Sequence, residues 1–332
     1  MYIWYNFWYM MKIKDVILKN NILVAPMAGV TDRAFRETIY SISDIGVIFN
    51  EMVSAKAICY NDSKTLKMLL PFDGEDKYIR GIQLFGSDPM DFKNAIIKIR
   101  ESNLKIDIID INMGCPAPKI VKSGSGCFLL KDLSKIKEIA ESARSVWDKV
   151  LSFKIRIGIS EDNINALEVA KILEESGADF ITIHGRTYEG MFSSPINYSV
   201  IKKVKDELSI PVIFNGGIFT LEDANTAISK TGCDGIMLAR GIMNNPFLGR
   251  EIISKKYASK DEFISLIKKH YLLNIKYAGE EIGTKEFRKN FIWYSKLFKG
   301  ANNIRSKINE LVDEKSFNTL LNELKDLELK RE

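Results

Sequence analysis

The chain has 332 residues, 46% hydrophobic and 27% charged, the balance of a globular protein with material for a large core rather than of a disordered, fibrous or low-complexity chain. Lysine plus arginine number 48 against 43 aspartate plus glutamate, a net charge of +5, so a polyanion-binding surface would have to be a local concentration of charge. The four cysteines (Cys59, Cys115, Cys127, Cys233) include no Cys-x-x-Cys pair, and with only two histidines, His184 and His270, they argue against a zinc cluster or a disulfide framework.

In chain order, residues 1–20 read as an N-terminal extension. Its aromatic opening, Met1 to Met11, has no basic leader and stops at Lys12, short of the ~20 residues of a membrane span. It is expected to be a disordered tail, or to precede a true start at Met10 or Met11.

From Asn21 to about Arg250, short β-branched runs alternate with amphipathic stretches. The strand-like runs are Ile22 to Ala25, Gly46 to Asn50, Tyr78 to Leu84, Ile106 to Ile111, Leu151 to Ile157, Phe180 to His184, Pro211 to Asn215 and Gly235 to Ala239. Helical patterns follow at Pro89 to Arg100, Leu133 to Trp147, Asn163 to Ser176, Ile196 to Glu207 and Leu221 to Ser229, with Thr31, Asp88, Asp132 and Thr220 placed as N-caps. Eight βα units in about 230 residues predict a (β/α)8 TIM barrel over residues 21–252. A doubly wound open sheet is the alternative and normally stops at fewer strands. Beyond Arg250 the strand signals vanish, and residues 258–332 read as an all-helical domain broken by Gly279, Gly283 and Gly300.

Barrel strands normally point Val, Ile and Leu inward, and here they do not. With Phe153 and Ile155 facing the helices, Lys154 and Arg156 turn inward, as do Asp110 and Asn112 on the fourth strand and Thr182 and His184 on the sixth. Gln83 ends the third strand and Asn215 the seventh. Strands three to seven thus deliver Gln83, Asn112, Lys154, His184 and Asn215 to the rim where barrels of this kind place reactive groups. Any one of these is more often a satisfied or snorkelling side chain, but five unpartnered together would cost several kcal/mol, so a polar ligand is expected in the mouth.

The seventh and eighth strands end in Asn215-Gly-Gly-Ile218 and Ala239-Arg-Gly-Ile242. Small residues there let backbone N–H groups approach a phosphate, and Arg240 adds a charged clamp. Gly124-Ser-Gly126 lacks the context of a dinucleotide fingerprint, and Gly81 to Gly86 runs into Ser87 rather than the lysine of a P-loop. A flavin mononucleotide meets these constraints, with its phosphate at loops seven and eight and Lys154 beside the ring to stabilise the reduced anion. The loop after strand four, Asn112 to Gly126, is rich in Gly and Pro, basic, and expected to be a mobile lid. It carries Cys115 between Gly114 and Pro116, where a thiol of ordinary pKa stays protonated near neutrality and can donate a proton. Cys59, Cys127 and Cys233 are better read as small core residues.

At these residues the sequence resembles the bacterial tRNA-dihydrouridine synthases. The similarity runs through Ala25-Pro-Met-Ala-Gly-Val-Thr-Asp-Arg-Ala-Phe-Arg36, Asn50-Glu-Met-Val53, Gln83-Leu-Phe-Gly86, Asp110-Ile-Asn-Met-Gly-Cys-Pro-Ala-Pro-Lys119, Lys154-Ile-Arg156, Ile183-His-Gly-Arg-Thr187, Asn215-Gly-Gly-Ile218 and Leu238-Ala-Arg-Gly241. It extends into the tail at Arg288-Lys289, Lys299-Gly-Ala301 and Ile304-Arg305. The resemblance implies an FMN enzyme, reduced by NADPH, that saturates the C5–C6 bond of uridines in tRNA. It implies that Pro26, Met27 and Ala28 lie under the flavin, that Gln83, Lys154 and His184 contact its ring system, and that Asn215, Gly216, Gly217, Ala239 and Arg240 hold its phosphate. Cys115 matches the proton donor, and Asn112 and Arg156 match positions near the uracil. Tyr188, where arginine is commoner, and Ala239, where glycine is usual, depart from the pattern.

Such an enzyme needs an RNA-binding surface. From Lys285 to Lys307 stand seven basic residues (Lys285, Arg288, Lys289, Lys296, Lys299, Arg305, Lys307) and one acid, Glu286, a surplus larger than the +5 of the whole chain. At ~100° per residue Lys285, Lys289, Lys296 and Lys299 share one helix face, opposite Phe287, Phe291, Tyr294 and Phe298. The aromatic stripe is read as core and the basic face, with Arg288 and Arg305, as phosphate contact. The expected partners are tRNA and NADPH, with no membrane and no metal, and the chain is expected to be a cytoplasmic monomer. Two rivals are a flavin barrel reducing a small pyrimidine or enoate, which has no use for a basic tail, and a non-catalytic RNA binder, which has no use for Cys115 or Lys154.

Overall fold

A computed structural model describes residues 8–330; most of the aromatic opening, and with it the expectation of a disordered leader, lies outside the described residues. All eight expected strands form, as Ile22–Val24, Val47–Ser54, Arg80–Phe85, Ile108–Met113, Val150–Arg156, Phe180–His184, Val212–Asn215 and Gly235–Leu238. They pair in parallel in chain order until the eighth closes on the first, so the open sheet is excluded. Helices Pro89–Glu101, Leu133–Arg144, Ala166–Glu175, Tyr198–Glu207 and Leu221–Thr231 occupy crossovers, with Asp88, Asp132 and Thr220 accepting from the N–H groups of Met90, Lys135 and Asp223. The cap of helix Arg33–Tyr40 is Asp32, not Thr31: an Asp32 oxygen accepts from Phe35 N–H at 2.8 Å. The Thr31 hydroxyl instead accepts from Met27 N–H at 3.1 Å and shapes the loop after strand one.

Residues 11–18 are more than an extension. Met11–Ile13 and Val16–Leu18 form an antiparallel hairpin whose Met11, Ile13 and Leu18 are buried with the inward-facing Val47, Ile108, Val150 and Phe180. The hairpin floors the barrel. The loop after strand four, expected to be a mobile lid, carries regular structure. It folds as a helix, Pro118–Lys122, and a 3-10 turn, Gly126–Lys131, pinned where Cys127 N–H donates to the Cys115 carbonyl at 3.2 Å and the Ser87 hydroxyl to that of Ser123 at 3.1 Å.

The tail contains helices Lys260–Ala278, Glu280–Ser295, Asn302–Ser306 and Glu314–Lys325 around a second core that includes Phe263, Tyr271, Phe287, Phe291, Tyr294, Phe298, Leu320 and Leu324. Gly279, at φ +80°, ends the first of them. Gly283 is not a separator; it sits inside the second, where a Cβ would come within 2.6 Å of the Asn274 carbonyl oxygen, and so lets the two helices approach. The tail docks on the barrel through Tyr277, whose hydroxyl donates to Glu37 at 2.6 Å, and Lys276, which pairs with Asp73 at 2.7 Å. No described helix is long and apolar enough to cross a membrane, and among the described residues no group of three or more His, Cys, Asp or Glu side chains could hold a metal ion.

Candidate active site

Register sets what fills the barrel. Gln83 lies opposite Asp110, and Asp110 opposite Ser152; one pleat higher Asn112 meets Lys154 and Lys154 meets Thr182; at the rim Arg156 meets His184 and His184 meets Asn215. Neighbours in register point to the same side of a sheet, so one placement fixes all of them. Phe153, Ile155, Ile181 and Ile183 face the helices in the outer core, while Phe49, Ile108, Val150, Phe180 and Ile213 fill the lower interior. Above that apolar layer the interior is polar.

The lower polar layer is a chain of hydrogen bonds. The Ser152 hydroxyl donates to one Asp110 oxygen and Gln83 Nε2 to the other, each at 2.6 Å. Asn112 Nδ2 donates to Gln83 Oε1 at 2.7 Å, and Asn112 Oδ1 accepts from Cys115 N–H at 2.9 Å and Gly114 N–H at 3.2 Å. With acceptors at one end and backbone donors at the other, both amides have one permitted orientation. Gln83 therefore keeps one N–H for a ligand, the second Asn112 N–H is directed at the Met52 sulfur at 3.7 Å, and the backbone of Cys115 is tethered to the strands. Burial pushes the Asp110 carboxyl up to about 6, against the bonds from Ser152 and Gln83 and the charge of Lys154.

The upper layer is cationic. Lys154 Nζ donates to Asn215 Oδ1 at 2.9 Å, while Asn215 Nδ2 is committed to the Met237 carbonyl at 2.8 Å. Burial, with repulsion from Arg156 and against the pull of Asp110, brings the ammonium down to about 8. Arg156 donates to the carbonyls of Gly114, Thr187 and Met191 at 3.0, 2.8 and 2.8 Å. His184 Nε2 lies 3.4 Å from Arg186 Nη1; an arginine only donates, so the ring carries its hydrogen on Nδ1. Burial first, then Lys154, Arg156, Arg186 and Arg240, hold this histidine neutral. Gly216, at φ +120°, passes so close to the ring that a Cβ would come within 2.8 Å of it.

These groups line a cavity of about 410 Å³ at the barrel mouth, together with Pro26, Met27, Ala28, Gly217 and Ala239. Cys115 stands in its wall. Burial pushes the thiol up from its ordinary value, more than the Ala117 N–H, Lys154 and Arg156 bring it down. Four cations converge on the cavity and no Asp or Glu lines it. All the barrel residues expected to contact the flavin or the uracil come together here. Arg186, Met191, Phe192 and Phe219 were not singled out as site residues, although Arg186 lies within the Ile183 to Thr187 motif; the other three sit in loops without periodicity.

The tail behaves differently. The helix ends at Ser295, so Lys296 caps it and Lys299 lies beyond it; the four lysines do not share one helix face. Lys285 pairs with Glu281 at 2.7 Å, Lys299 with Glu328 at 2.8 Å and Lys307 with Glu323 at 2.9 Å. Arg288 donates to the Leu311 carbonyl at 2.9 Å and Arg305 to that of Ser295 at 3.4 Å. Of the seven, Lys289 and Lys296 are the ones left without an ion pair or hydrogen bond among the described residues; Lys289 Nζ is directed at Gly29 of the barrel, 3.7 Å from where a Cβ would stand. The aromatic stripe is core, as expected.

Residues 23–330 match the family model for dihydrouridine synthase. The tRNA-dihydrouridine synthase B of Vibrio parahaemolyticus is 36% identical over 308 residues, covering 91% of this chain and 94% of that protein. That of Pseudomonas aeruginosa is 34% identical over 311 residues, 91% of this chain and 92% of the relative, and a probable tRNA-dihydrouridine synthase of Rickettsia conorii is 34% identical over 313, 92% and 93%. Among solved structures, the old yellow enzyme homologue of Zymomonas mobilis aligns at TM-score 0.56 with 14% identity over 77% of this chain and 94% of its own. Histamine dehydrogenase from Rhizobium aligns at 0.59 with 15% identity over 80% of this chain and 51% of that one, a likeness of fold. Because the match spans barrel and tail alike, the chain belongs to the dihydrouridine synthase family.

Proposed function

We propose that the chain reduces the C5–C6 double bond of particular uridines in tRNA, with FMN as its cofactor and NAD(P)H as its electron donor. The observation that carries this reading is the carboxylate-free cavity in which four cations converge beside a protonated thiol. The residues present fit FMN. Lys154 is half-buried with a single hydrogen bond, Arg240 forms no hydrogen bond among the described residues, and the Gly216 backbone approaches without a side chain; these suit an anion at loops seven and eight and polar ring atoms near Lys154 and Gln83. Lys154, Gln83 and His184 would hold the ring system over Pro26, Met27 and Ala28, and Asn215 to Gly217 with Ala239 and Arg240 would hold the phosphate.

Bound FMN supplies the redox chemistry, taking electrons from NAD(P)H and passing them to the uracil. The chain supplies position and protons. Asn112 and Arg156 orient the base, Lys154 places positive charge where negative charge gathers, and Cys115 Sγ holds the proton that C5 receives. A target base in folded tRNA must be extruded to reach the pocket, at a few kcal/mol recovered from backbone contacts; we assign these to the tail, residues 258–332, with Lys289 and Lys296 as its unpaired cations. The tRNA substrate supports action in the cytoplasm. The test is direct. The purified protein should be yellow with FMN, and tRNA from cells lacking it should lose dihydrouridine at defined positions and regain it on complementation. A folded polypeptide that cannot be loaded with FMN would overturn the reading.

A further inference from the structure

We infer that Phe192 and Phe219 form an aromatic slot that aims Arg240 at the phosphate of the bound flavin nucleotide, so that Phe192 is a positioning residue for cofactor retention; this rests on the reading of the cavity given above. The three side chains come from the loops after strands six, seven and eight. The Arg240 guanidinium carbon lies 4.6 Å from the Phe192 ring centroid and 5.7 Å from that of Phe219. Contact with aromatic rings engages the guanidinium charge without using its N–H donors. Arg240 donates none of them within the described protein. In-plane donors held in this way match the paired oxygens of a phosphate.

Phe192 is not there for the core, since it is 45% exposed and Phe219 is 40% exposed. Its loop is hung from below by two site arginines, Arg156 donating to the Met191 carbonyl at 2.8 Å and Arg186 to that of Ser194 at 2.5 Å. Met191, just before it, takes φ +47°, a left-handed conformation that non-glycine residues adopt only where the surroundings enforce it. The ring so placed also lies 5.4 Å from the Arg156 guanidinium carbon and 6.2 Å from the His184 ring. Its negative face therefore sits among cations that repel one another, and it helps to fix the position of the one cation of the cavity that makes no hydrogen bond among the described residues.

The test compares FMN with riboflavin, which lacks the phosphate, in titrations of flavin-stripped protein followed by flavin fluorescence. Arg240→Ala should weaken FMN and leave riboflavin unchanged. Phe192→Ala should weaken FMN roughly tenfold, the weight of one good cation–π contact, and leave riboflavin within about twofold, while Phe192→Tyr restores FMN binding. In the Arg240→Ala background, Phe192→Ala should cost nothing further. Equal losses for both ligands, or additive losses in the double variant, would show that Phe192 is only an apolar cover and overturn the inference. If Arg240→Ala fails to separate the two ligands, the phosphate assignment itself is wrong and the slot falls with it.

Discussion

The barrel mouth and the tail carry positive charge in opposite ways. In the mouth Lys154, Arg156, Arg186 and Arg240 crowd a cavity that no carboxylate lines, and after burial their positive charge helps to keep His184 uncharged. In the tail five of the seven cations are met by Glu281, Glu328 and Glu323 or spent on carbonyls. Exposed pairs of that kind contribute little stability and leave little field. Unbalanced charge in a buried place signals a ligand, whereas a high local count of lysines says nothing until their partners are known.

The sharpest test concerns the group that the cationic mouth surrounds. Cys115→Ala should keep bound flavin and NAD(P)H oxidation but lower dihydrouridine formation by roughly 10²- to 10⁴-fold, the range for loss of a positioned proton donor. Full activity on tRNA would remove Cys115 from the chemistry. The thiol is raised by burial, so thiol-alkylating reagents should label it slowly at pH 7 and faster as pH rises.

Next in size is a place where charge is balanced and buried. Glu75 accepts from Arg36 Nε at 2.7 Å and pairs with Arg80 at 3.3 Å, all three almost wholly enclosed. Glu75→Ala would strand two guanidinium groups and should cost about 3–5 kcal/mol, read as a large drop in denaturation midpoint. A loss under ~1 kcal/mol would mean that the triad is no more structural than the surface pairs.

The two histidines extend the contrast. His184 is neutral partly through neighbouring cations, whereas burial is the main cause that lowers His270 to about 3, with Lys289 adding to it; its Nδ1 lies 2.8 Å from the Tyr294 hydroxyl in the tail core. A histidine depressed in the folded state contributes stability that is present above its unfolded pKa, near 6.5, and lost as pH falls toward 3. Asp32 and Asp110, both raised to about 6 by burial, act with the opposite sign, losing stability as pH rises from 3.8 to 6. Only the difference between wild type and His270→Gln isolates the histidine. Between pH 7 and pH 4 that difference should change by on the order of 2 kcal/mol in favour of the variant; parallel curves would reject a buried neutral His270.

Sequence made the barrel and its rim legible because alternation is local: once Phe153 and Ile155 face outward, Lys154 and Arg156 must face inward, and register carries the rule to Asn112, His184 and Asn215. What stayed hidden depended on contacts distant in sequence or on irregular backbone. Two three-residue strands leave no period by which to foresee the floor hairpin of residues 11–18. Phe192 and Phe219 lie in loops, and nothing local brings them to Arg240. Gly283 reads as a break although it serves a close helix crossing. The tail's charge was misjudged for a simple reason: a window opening at Lys285 omits Glu281, one helical turn earlier, and could not include Glu323 or Glu328. The first of those partners was available from i,i+4 spacing alone.

The smallest predicted effect bears most directly on the comparison, because it sorts the tail's lysines by partner rather than by position. Lys289→Ala with Lys296→Ala removes two unpaired cations, whereas Lys285→Ala with Lys299→Ala removes two that already face Glu281 and Glu328. If phosphate contact requires a free cation, the first double variant should weaken tRNA binding several-fold and reduce the slope of log affinity against log salt by about one to two. The second should change both far less, since releasing a lysine from its carboxylate offsets part of what the phosphate would gain. Flavin content should be unchanged in both, as neither pair lines the cavity. Equal losses in the two variants would mean that tRNA competes the surface pairs apart, and the tail would then bind by total charge rather than by the few cations the fold leaves unmatched.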